Sequence, residues 1–360
     1  MEYIESLPED LKRYLESTNE RIKSVYSGTL SEVPPIKAIV DPVLHQLNSR
    51  GKMLRSALCV CTTEMLGGNA REAEYYAAAV ELTHNASLIH DDIVDGDIFR
   101  RGDLSVFGKF GLAAGILAGD TVISMAVNAV VSLPITSVPV HHAHAVISNM
   151  SKAWLTLASG ALKEYSHSSL DMRSYEDLIY CKTAVLYESA LTLGAIASEA
   201  NDSAKYSLST IGRNFGMAFQ IADDLADMMK SVKSGMPCKD LANYNITFPI
   251  VMLHEYGDEE QRELAQRYLE VHISRIKFPA LFGIVVPQPP REQLEPAEMK
   301  AIIDSFAEEE FQKQCKAVYE NYIDKNIGIL DSLKGDIKSE QHKDWMIKLM
   351  EYGITRVISE

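Results

Sequence analysis

Residues 71–95 read REAEYYAAAVELTHNASLIHDDIVD, and the fold class turns on this stretch. It opens polar on one side and becomes apolar nearly all round, as expected of a helix entering a core. It then delivers three aspartates, Asp91, Asp92 and Asp95, at its end. A second helix-like stretch, residues 205–229 (KYSLSTIGRNFGMAFQIADDLADMM), carries the same DDxxD pattern in Asp223, Asp224 and Asp227. Neighbouring like charges on a helix repel by about 0.2–0.5 kcal/mol per exposed pair, and by more where water is scarce. Two such clusters among apolar residues imply a use for them, and the obvious use is to hold hard divalent cations.

Positions i and i+4 share a helix face, so Asp91 and Asp95 can grip a metal together, with Asp92 turned aside. Mg²⁺ takes oxygen ligands at about 2.0–2.1 Å and usually needs only one or two carboxylates, the rest being water and substrate phosphate. Paired DDxxD helices therefore suit a phosphate-bearing substrate. A calcium loop does not fit. Counted back from Gly96, position 93 should be acidic and is Ile, and position 102 should be Glu and is Gly.

The rest of the chain agrees with a helical protein. Stretches rich in Ala, Leu, Met and Glu are punctuated by Gly67-Gly68-Asn69 and Ser132-Leu133-Pro134. The 360 residues, 46% of them hydrophobic, suffice for one large α-helical domain spanning 1–360. The proline-rich segment at about 278–297 (FPALFGIVVPQPPREQLEPA) reads as an inserted loop, with Leu281–Val286 as an edge strand or extended piece. A net charge of −15 argues against nucleic acid as a partner. The cysteines are five, without a CxxC pair, and the start is charged and amphipathic, so a reducing cytoplasm is expected. Leu112–Leu133 is the most membrane-like segment. Asp120 interrupts it, and its apolar runs fall short of ~18–20 residues, so it reads as a fully buried core helix, not a transmembrane span. His141-His142-Ala143-His144 has no acids or cysteines beside it in sequence and reads as a solvated loop instead of a zinc site.

Basic residues accompany the acids. Lys52 and Arg55, in Gly51-Lys52-Met53-Leu54-Arg55, are placed at i and i+3 on one helix face; Arg100-Arg101-Gly102 follows the first cluster; Lys182-Thr183-Ala184 stands in an apolar helix. Singly, each reads best as a surface residue. Together they supply what an anionic substrate needs, since Arg binds phosphate as a fork and Lys as a point charge.

These motifs resemble the trans-isoprenyl diphosphate synthases (polyprenyl synthetases). The ordered set is GKxxR at Gly51–Arg55, His84 with DDxxD and RRG at Asp91–Gly102, AGD at Ala118–Asp120, KTA at Lys182–Ala184, FQIxDDxxD at Phe219–Asp227, and KDL…TxP at Lys239–Pro249. The resemblance implies an all-α isoprenoid-synthase barrel around a central cavity, usually a homodimer. It implies 1′-4 condensation of isopentenyl diphosphate with an allylic prenyl diphosphate, with three Mg²⁺ per site and Mn²⁺ as the alternative ion. By the same resemblance Asp91, Asp92 and Asp95 hold two metal ions, and Asp223, with Asp224 and Asp227 around it, holds the third. Arg100 and Lys182 take the allylic diphosphate. Lys52, Arg55, His84 and Arg101 take the isopentenyl diphosphate. Thr183 and Gln220 offer oxygen dipoles to the carbocation. Ala86 and Ser87, five and four residues before Asp91, are small where family members that stop at fifteen carbons tend to carry an aromatic. A product of twenty carbons or more is therefore implied, unless a residue such as Ile116 or Ile123 closes the cavity.

Three positions depart from the family pattern. The Gly-Lys before TxP reads Tyr244-Asn245, so a phosphate-binding lysine is missing; the mid-chain Gly-Gln reads Gly160-Ala161; and the glycine before KDL is Cys238. Losing one charged phosphate contact costs about 1.5–3 kcal/mol. Two other readings follow, a class I terpene cyclase and a weakly active or regulatory subunit of a heteromeric synthase. The Lys52, Arg55 and Arg101 set, which a cyclase does not need, argues against the first; the intact acids argue against the second.

Overall fold

A computed structural model of the chain describes residues 7–49, 51, 53–133, 139–166, 168–276 and 293–359. Sixteen α-helices follow one another among these residues. They are α1 (Glu9–Ser31), α2 (Lys37–Leu47), α3 (Leu54–Met65), α4 (Ala70–Asp95), α5 (Val106–Phe110), α6 (Leu112–Val131), α7 (Val140–Ser166), α8 (Met172–Ile179), α9 (Val185–Ala197), α10 (Asp202–Ser234), α11 (Lys239–Ala242), α12 (Phe248–Tyr256), α13 (Glu259–Ile276), α14 (Pro296–Ser305), α15 (Glu309–Ser332) and α16 (Glu340–Ser359). Between α4 and α5 lie two short strands, β1 (Phe99–Arg100) and β2 (Asp103–Leu104), and between α8 and α9 a single π-helical turn, Tyr180–Ala184. The chain is all-α, as expected. The Leu281–Val286 expectation, like most of the proline-rich insertion, lies outside the described residues.

The chain divides into two compact units. Unit 1 comprises residues 1–155, 186–212 and 328–352; unit 2 comprises 156–185, 213–327 and 353–360.

In unit 1 the helix that decided the fold is α4. Asn69 caps it, its side-chain oxygen accepting from the backbone N–H of Arg71 and Glu72. It ends in left-handed Gly96, where Asp97 N bonds to Asp92 O and Gly96 N to Ile93 O, a Schellman closure. Its middle is buried all round, with Tyr76, Ala77, Ala78, Ala79 and Leu82 at 0% exposure. It packs chiefly on α6 and α3, where Leu58, Val60 and Met65 are also fully buried. Each such side chain contributes roughly 1.5–3 kcal/mol by leaving water.

Helix α6 differs from its expectation. Only 44% of its most apolar stretch is buried, and Ile116, Leu117, Val127 and Val131 are exposed. It is long and apolar enough to cross a membrane by length and composition, a test that the core helix of a soluble protein also passes.

The triple histidine is corrected too. His142 lies in the first turn of α7 and is buried, with its Nδ1 2.8 Å from Glu72 Oε1. Tyr76 donates to the same oxygen at 2.6 Å. The acid that sequence proximity lacked is supplied by α4, and the pair ties two helices together.

Candidate active site

In unit 1 the first DDxxD forms the last turn of α4. Carboxylates there face the negative end of the helix dipole, an unfavourable placement of about 0.3–1 kcal/mol each that a bound cation would reverse. Asp91 is half-buried and Asp95 exposed, whereas Asp92 is 0% exposed. Asp92 Oδ1 accepts from Arg100 Nε at 2.6 Å, while its buried Oδ2 has no hydrogen-bond partner. Burial pushes the Asp92 carboxyl up to about 6, against the pull of Arg100.

Arg100 and Arg101 sit on a hairpin that the sequence reading missed. Phe99 pairs with Leu104 and Arg100 with Asp103, leaving Arg101 and Gly102 at the turn with φ of +53° and +82°. Positive φ at both central residues is the requirement of a type I′ turn, which explains the glycine in RRG. The signal was an x-Gly pair between short polar–apolar runs, hidden by the brevity of the strands.

The GKxxR segment is described in part. Met53 is left-handed, at φ +50°, and the helix begins only at Leu54, so Arg55 belongs to its first turn. Lys52 itself lies outside the described residues. The Arg55 guanidinium stacks 4.2 Å from the centre of the Tyr187 ring. His84 is half-buried close by; burial and the fields of Arg55, Arg101 and Arg100 push its pKa well below the ordinary histidine value, so it stays neutral. A second acid, besides Asp92, faces this cationic group. Glu81, 5% exposed, feels both Arg55 and Arg101, and burial raises its pKa. The sequence reading passed over Glu81 because one Glu in an apolar run carries no motif.

In unit 2 the second DDxxD repeats the burial pattern of the first. Asp223 is exposed, Asp224 is buried and Asp227 is half-buried, bonded to Lys230 at 2.9 Å. Asp224 accepts three hydrogen bonds: from Tyr175 OH at 2.8 Å, Gln220 Nε2 at 2.8 Å and Phe248 N at 2.7 Å. Phe248 opens α12, so the TxP motif presents an otherwise orphaned helix N–H to this carboxylate. Burial nevertheless pushes Asp224 up to about 7. Thr183 donates to Gln220 Oε1 at 2.6 Å, so Thr183, Gln220 and Asp224 form one chain.

Lys182-Thr183-Ala184 lies in the π turn, not in regular α-helix. Such single turns recur where a side chain must be re-aimed. A Cβ on Gly160 would stand 2.9 Å from Cys181, so the glycine lets α7 pass close against this turn. One helical turn further on, Glu164 receives Lys182 Nζ on both oxygens at 2.7 Å. Asn245 donates to Asp240 Oδ1 at 2.9 Å. Glu164 and Asp240 are further acids that the sequence reading did not single out.

For metals, the donor set is carboxylate oxygen, which suits a hard cation. Among the described residues no three of His, Cys, Asp or Glu are gathered into a cage. Mg²⁺ takes one or two carboxylates and completes its shell with water and substrate phosphate. The buried, unpartnered Asp92 Oδ2 fits the same need for a positive partner.

The chain is similar to known proteins in sequence and in fold. The profile of the polyprenyl synthetases matches residues 36–277. A short chain isoprenyl diphosphate synthase of Methanothermobacter thermautotrophicus is 34% identical over 258 residues, covering 70% of this chain and 77% of that protein. A geranylgeranyl diphosphate synthase of Sulfolobus acidocaldarius is 30% identical over 258 residues, covering 70% and 76%. The crystal structure of geranylgeranyl pyrophosphate synthetase from Pyrococcus horikoshii Ot3 superposes with a TM-score of 0.78 at 26% identity, covering 96% of this chain and 97% of that one.

Proposed function

The chain belongs to the polyprenyl synthetase family and is a transferase of the isoprenyl diphosphate synthase kind, and from that premise we propose that it condenses isopentenyl diphosphate with an allylic prenyl diphosphate to give a product of twenty carbons or more. The observation that carries the reading is the shared pattern of the two aspartate motifs, each with a buried second Asp and more accessible first and third. An accessible pair can meet cations and phosphate while the buried Asp fixes the helix.

Asp91, Asp95 and Asp223 hold Mg²⁺ in this reading, with Asp92, Asp224 and Asp227 supporting them. Bound there, the metal supplies electrostatic stabilisation of the departing pyrophosphate. Lys182 and Arg100 bind and orient the allylic diphosphate. Arg55 and Arg101, with neutral His84 as a hydrogen-bonding group, bind the isopentenyl diphosphate; Lys52 is assigned the same role. Thr183 and Gln220 present oxygen dipoles toward the cationic carbon. The proton lost on condensation goes to the departing pyrophosphate. Ala86, buried, and Ser87, half-buried, are the small side chains that this reading places at the end of the growing chain's path. We further propose a homodimer in the cytoplasm, to which the five free cysteines are suited.

The reading is tested by incubating the protein with Mg²⁺, labelled isopentenyl diphosphate and allylic primers of increasing length, then sizing the products. Incorporation into a chain of twenty or more carbons is expected. No incorporation with any primer would overturn it, and hydrocarbon from primer alone would point to a cyclase. One specific observation favours a second reading. The neutral Asn245 and Ala161, where family members carry Lys and Gln, suit a weakly active or regulatory subunit. Incorporation that appears only with a catalytic partner subunit added would select it.

A further inference from the structure

Tyr244 stands in unit 2 in a conformation that an aromatic residue rarely takes. Its φ is +55°, in the left-handed region, at a position where the family pattern has glycine. A bulky left-handed residue persists only where its surroundings over-determine it, and such residues gather at sites that use the constraint. The prenyl-transfer reading above gives Tyr244 no role.

The surroundings are specific. The Tyr244 carbonyl can only accept, so His272 Nδ1, 2.7 Å away, donates to it. Leu294 N, one residue before the N-cap of α14, donates to the Tyr244 hydroxyl at 3.0 Å. The centres of the Tyr244 and Tyr268 rings are 5.1 Å apart. Tyr268 and His272 are four apart on α13 and so share the face that cradles residue 244. Tyr244, Tyr268, His272 and Leu294 are all buried. The Tyr268 hydroxyl donates onward to Asn245 O at 2.9 Å. Asn245 in turn spends two donors on one neighbour, its backbone N–H on Asp240 O and its side-chain amide on Asp240 Oδ1, each at 2.9 Å. Asp240 is half-buried and lies in the fields of Lys182, Asp227 and Glu164.

We propose that Tyr244 is a positioning residue for the allylic-diphosphate site: it fixes Asn245 on Asp240 and so keeps the Asp240 carboxylate from pairing with Lys182. The inference rests on the assignment of Lys182 made above. Without its amide partner, a half-buried carboxylate needs a compensating cation, and Lys182 is one whose field it already feels. A lysine shared between Glu164 and Asp240 presents less positive charge to an incoming diphosphate, which must then displace two carboxylates instead of one. Since position 245 supplies no ammonium here, the availability of Lys182 weighs more in allylic affinity. Through Leu294, the same tie makes the start of α14 part of what holds the site.

A double-mutant cycle on the full chain tests this. Tyr244→Gly removes both ring and hydroxyl and is expected to raise the allylic KM at least about fivefold, with kcat and the isopentenyl KM within about twofold of wild type. Tyr244→Phe, which removes only the acceptor for Leu294 N, should shift the allylic KM the same way by about two- to threefold. In an Asp240→Asn background, where residue 240 no longer competes as an anion, neither change should move the allylic KM. An unchanged allylic KM in Tyr244→Gly overturns the proposal. So does a rise that persists in Asp240→Asn, or one matched by the isopentenyl KM, since either marks a merely structural residue. If Tyr244→Gly does not fold, Tyr244→Phe carries the same cycle. Absence of prenyl transfer in the wild type would count against the function proposed above. The cycle is then read on the calorimetric Kd of geranyl thiodiphosphate with Mg²⁺, and the same outcomes decide it.

Discussion

Lys182 Nζ lies 2.7 Å from both carboxylate oxygens of Glu164, so the lysine assigned to the allylic diphosphate starts from an ion pair. Their side chains are 41% and 18% exposed, and a pair in such a setting is worth at most about 1 kcal/mol. A diphosphate bearing metal outcompetes it easily. The Glu164 charge, however, still repels an incoming anion. Glu164→Gln keeps an acceptor for Lys182 and removes that charge. Its KM for the allylic diphosphate should fall about two- to fivefold, roughly 0.5–1 kcal/mol, with the isopentenyl KM unchanged. Steady-state kinetics with each substrate varied in turn decides the matter; a higher allylic KM would mean that Glu164 aims Lys182 instead of competing for it.

Asn245 stands where the family pattern has a lysine, and its amide is committed to Asp240 Oδ1 at 2.9 Å. Burial raises the pKa of Asp240, while Asn245 and the positive field of Lys182 oppose the rise. An ammonium at position 245 would neutralise Asp240 and add a phosphate contact. Asn245→Lys should therefore raise kcat/KM for the allylic diphosphate by up to about tenfold, near the lower end of what one charged hydrogen bond contributes. A fall instead would show that the neighbourhood is built around a neutral residue.

The second aspartate motif separates chemistry from stability. Asp223 is exposed, so Asp223→Ala should abolish prenyl transfer and shift Tm by less than about 2 °C. Asp224→Ala leaves Tyr175 OH, Gln220 Nε2 and Phe248 N without their acceptor. At about 1–3 kcal/mol for each buried orphan, it should lower stability by roughly 3–9 kcal/mol and Tm by about 4–12 °C. A pH dependence follows from the same residue. Its carboxyl is raised from 3.8 to about 7, so the folded state holds that proton more tightly than the unfolded state. Its contribution to stability is present below the unfolded value and is lost as pH rises toward 7. In EDTA, the urea midpoint should decline from pH 5 to pH 8, and the decline should be smaller in Asp224→Asn.

The sequence made some of this legible and hid the rest for identifiable reasons. The course of α4 and α10 could be read because an apolar-all-round pattern broken by DDxxD suits little besides a buried helix that ends in a polar site. The motif residues were legible singly, but their conformations were not. Arg101 takes a left-handed φ that only the hairpin partner strand justifies, and Lys182 sits in a π turn that depends on Gly160 allowing a close approach. The left-handed Met53 just before the helix start at Leu54 was not legible either, because a methionine carries no signal for positive φ. Glu81, Glu164 and Asp240 could not be singled out, since a carboxylate acquires its meaning from the cation or amide that tertiary structure brings to it. The solvated reading of His142 failed for that reason, its partner Glu72 lying seventy residues earlier.

Chain length is read at Ala86 and Ser87, and the structure makes them unequal. Ala86 is 0% exposed, whereas Ser87 is half-buried and donates its hydroxyl to the backbone oxygen of His84 at 2.8 Å. An aromatic at Ala86 must displace packed neighbours, which costs about 1–3 kcal/mol. An aromatic at Ser87 has more space and forfeits only a local hydrogen bond. If these residues bound the path of the growing chain, both Ala86→Phe and Ser87→Phe should shorten the main product to about fifteen carbons, with Ala86→Phe also lowering Tm. Chromatography of the dephosphorylated products reads the length, and calorimetry reads the stability. Products of unchanged length from two folded variants would move the floor elsewhere, and the α6 residues Ile116 and Ile123 would be the next to enlarge.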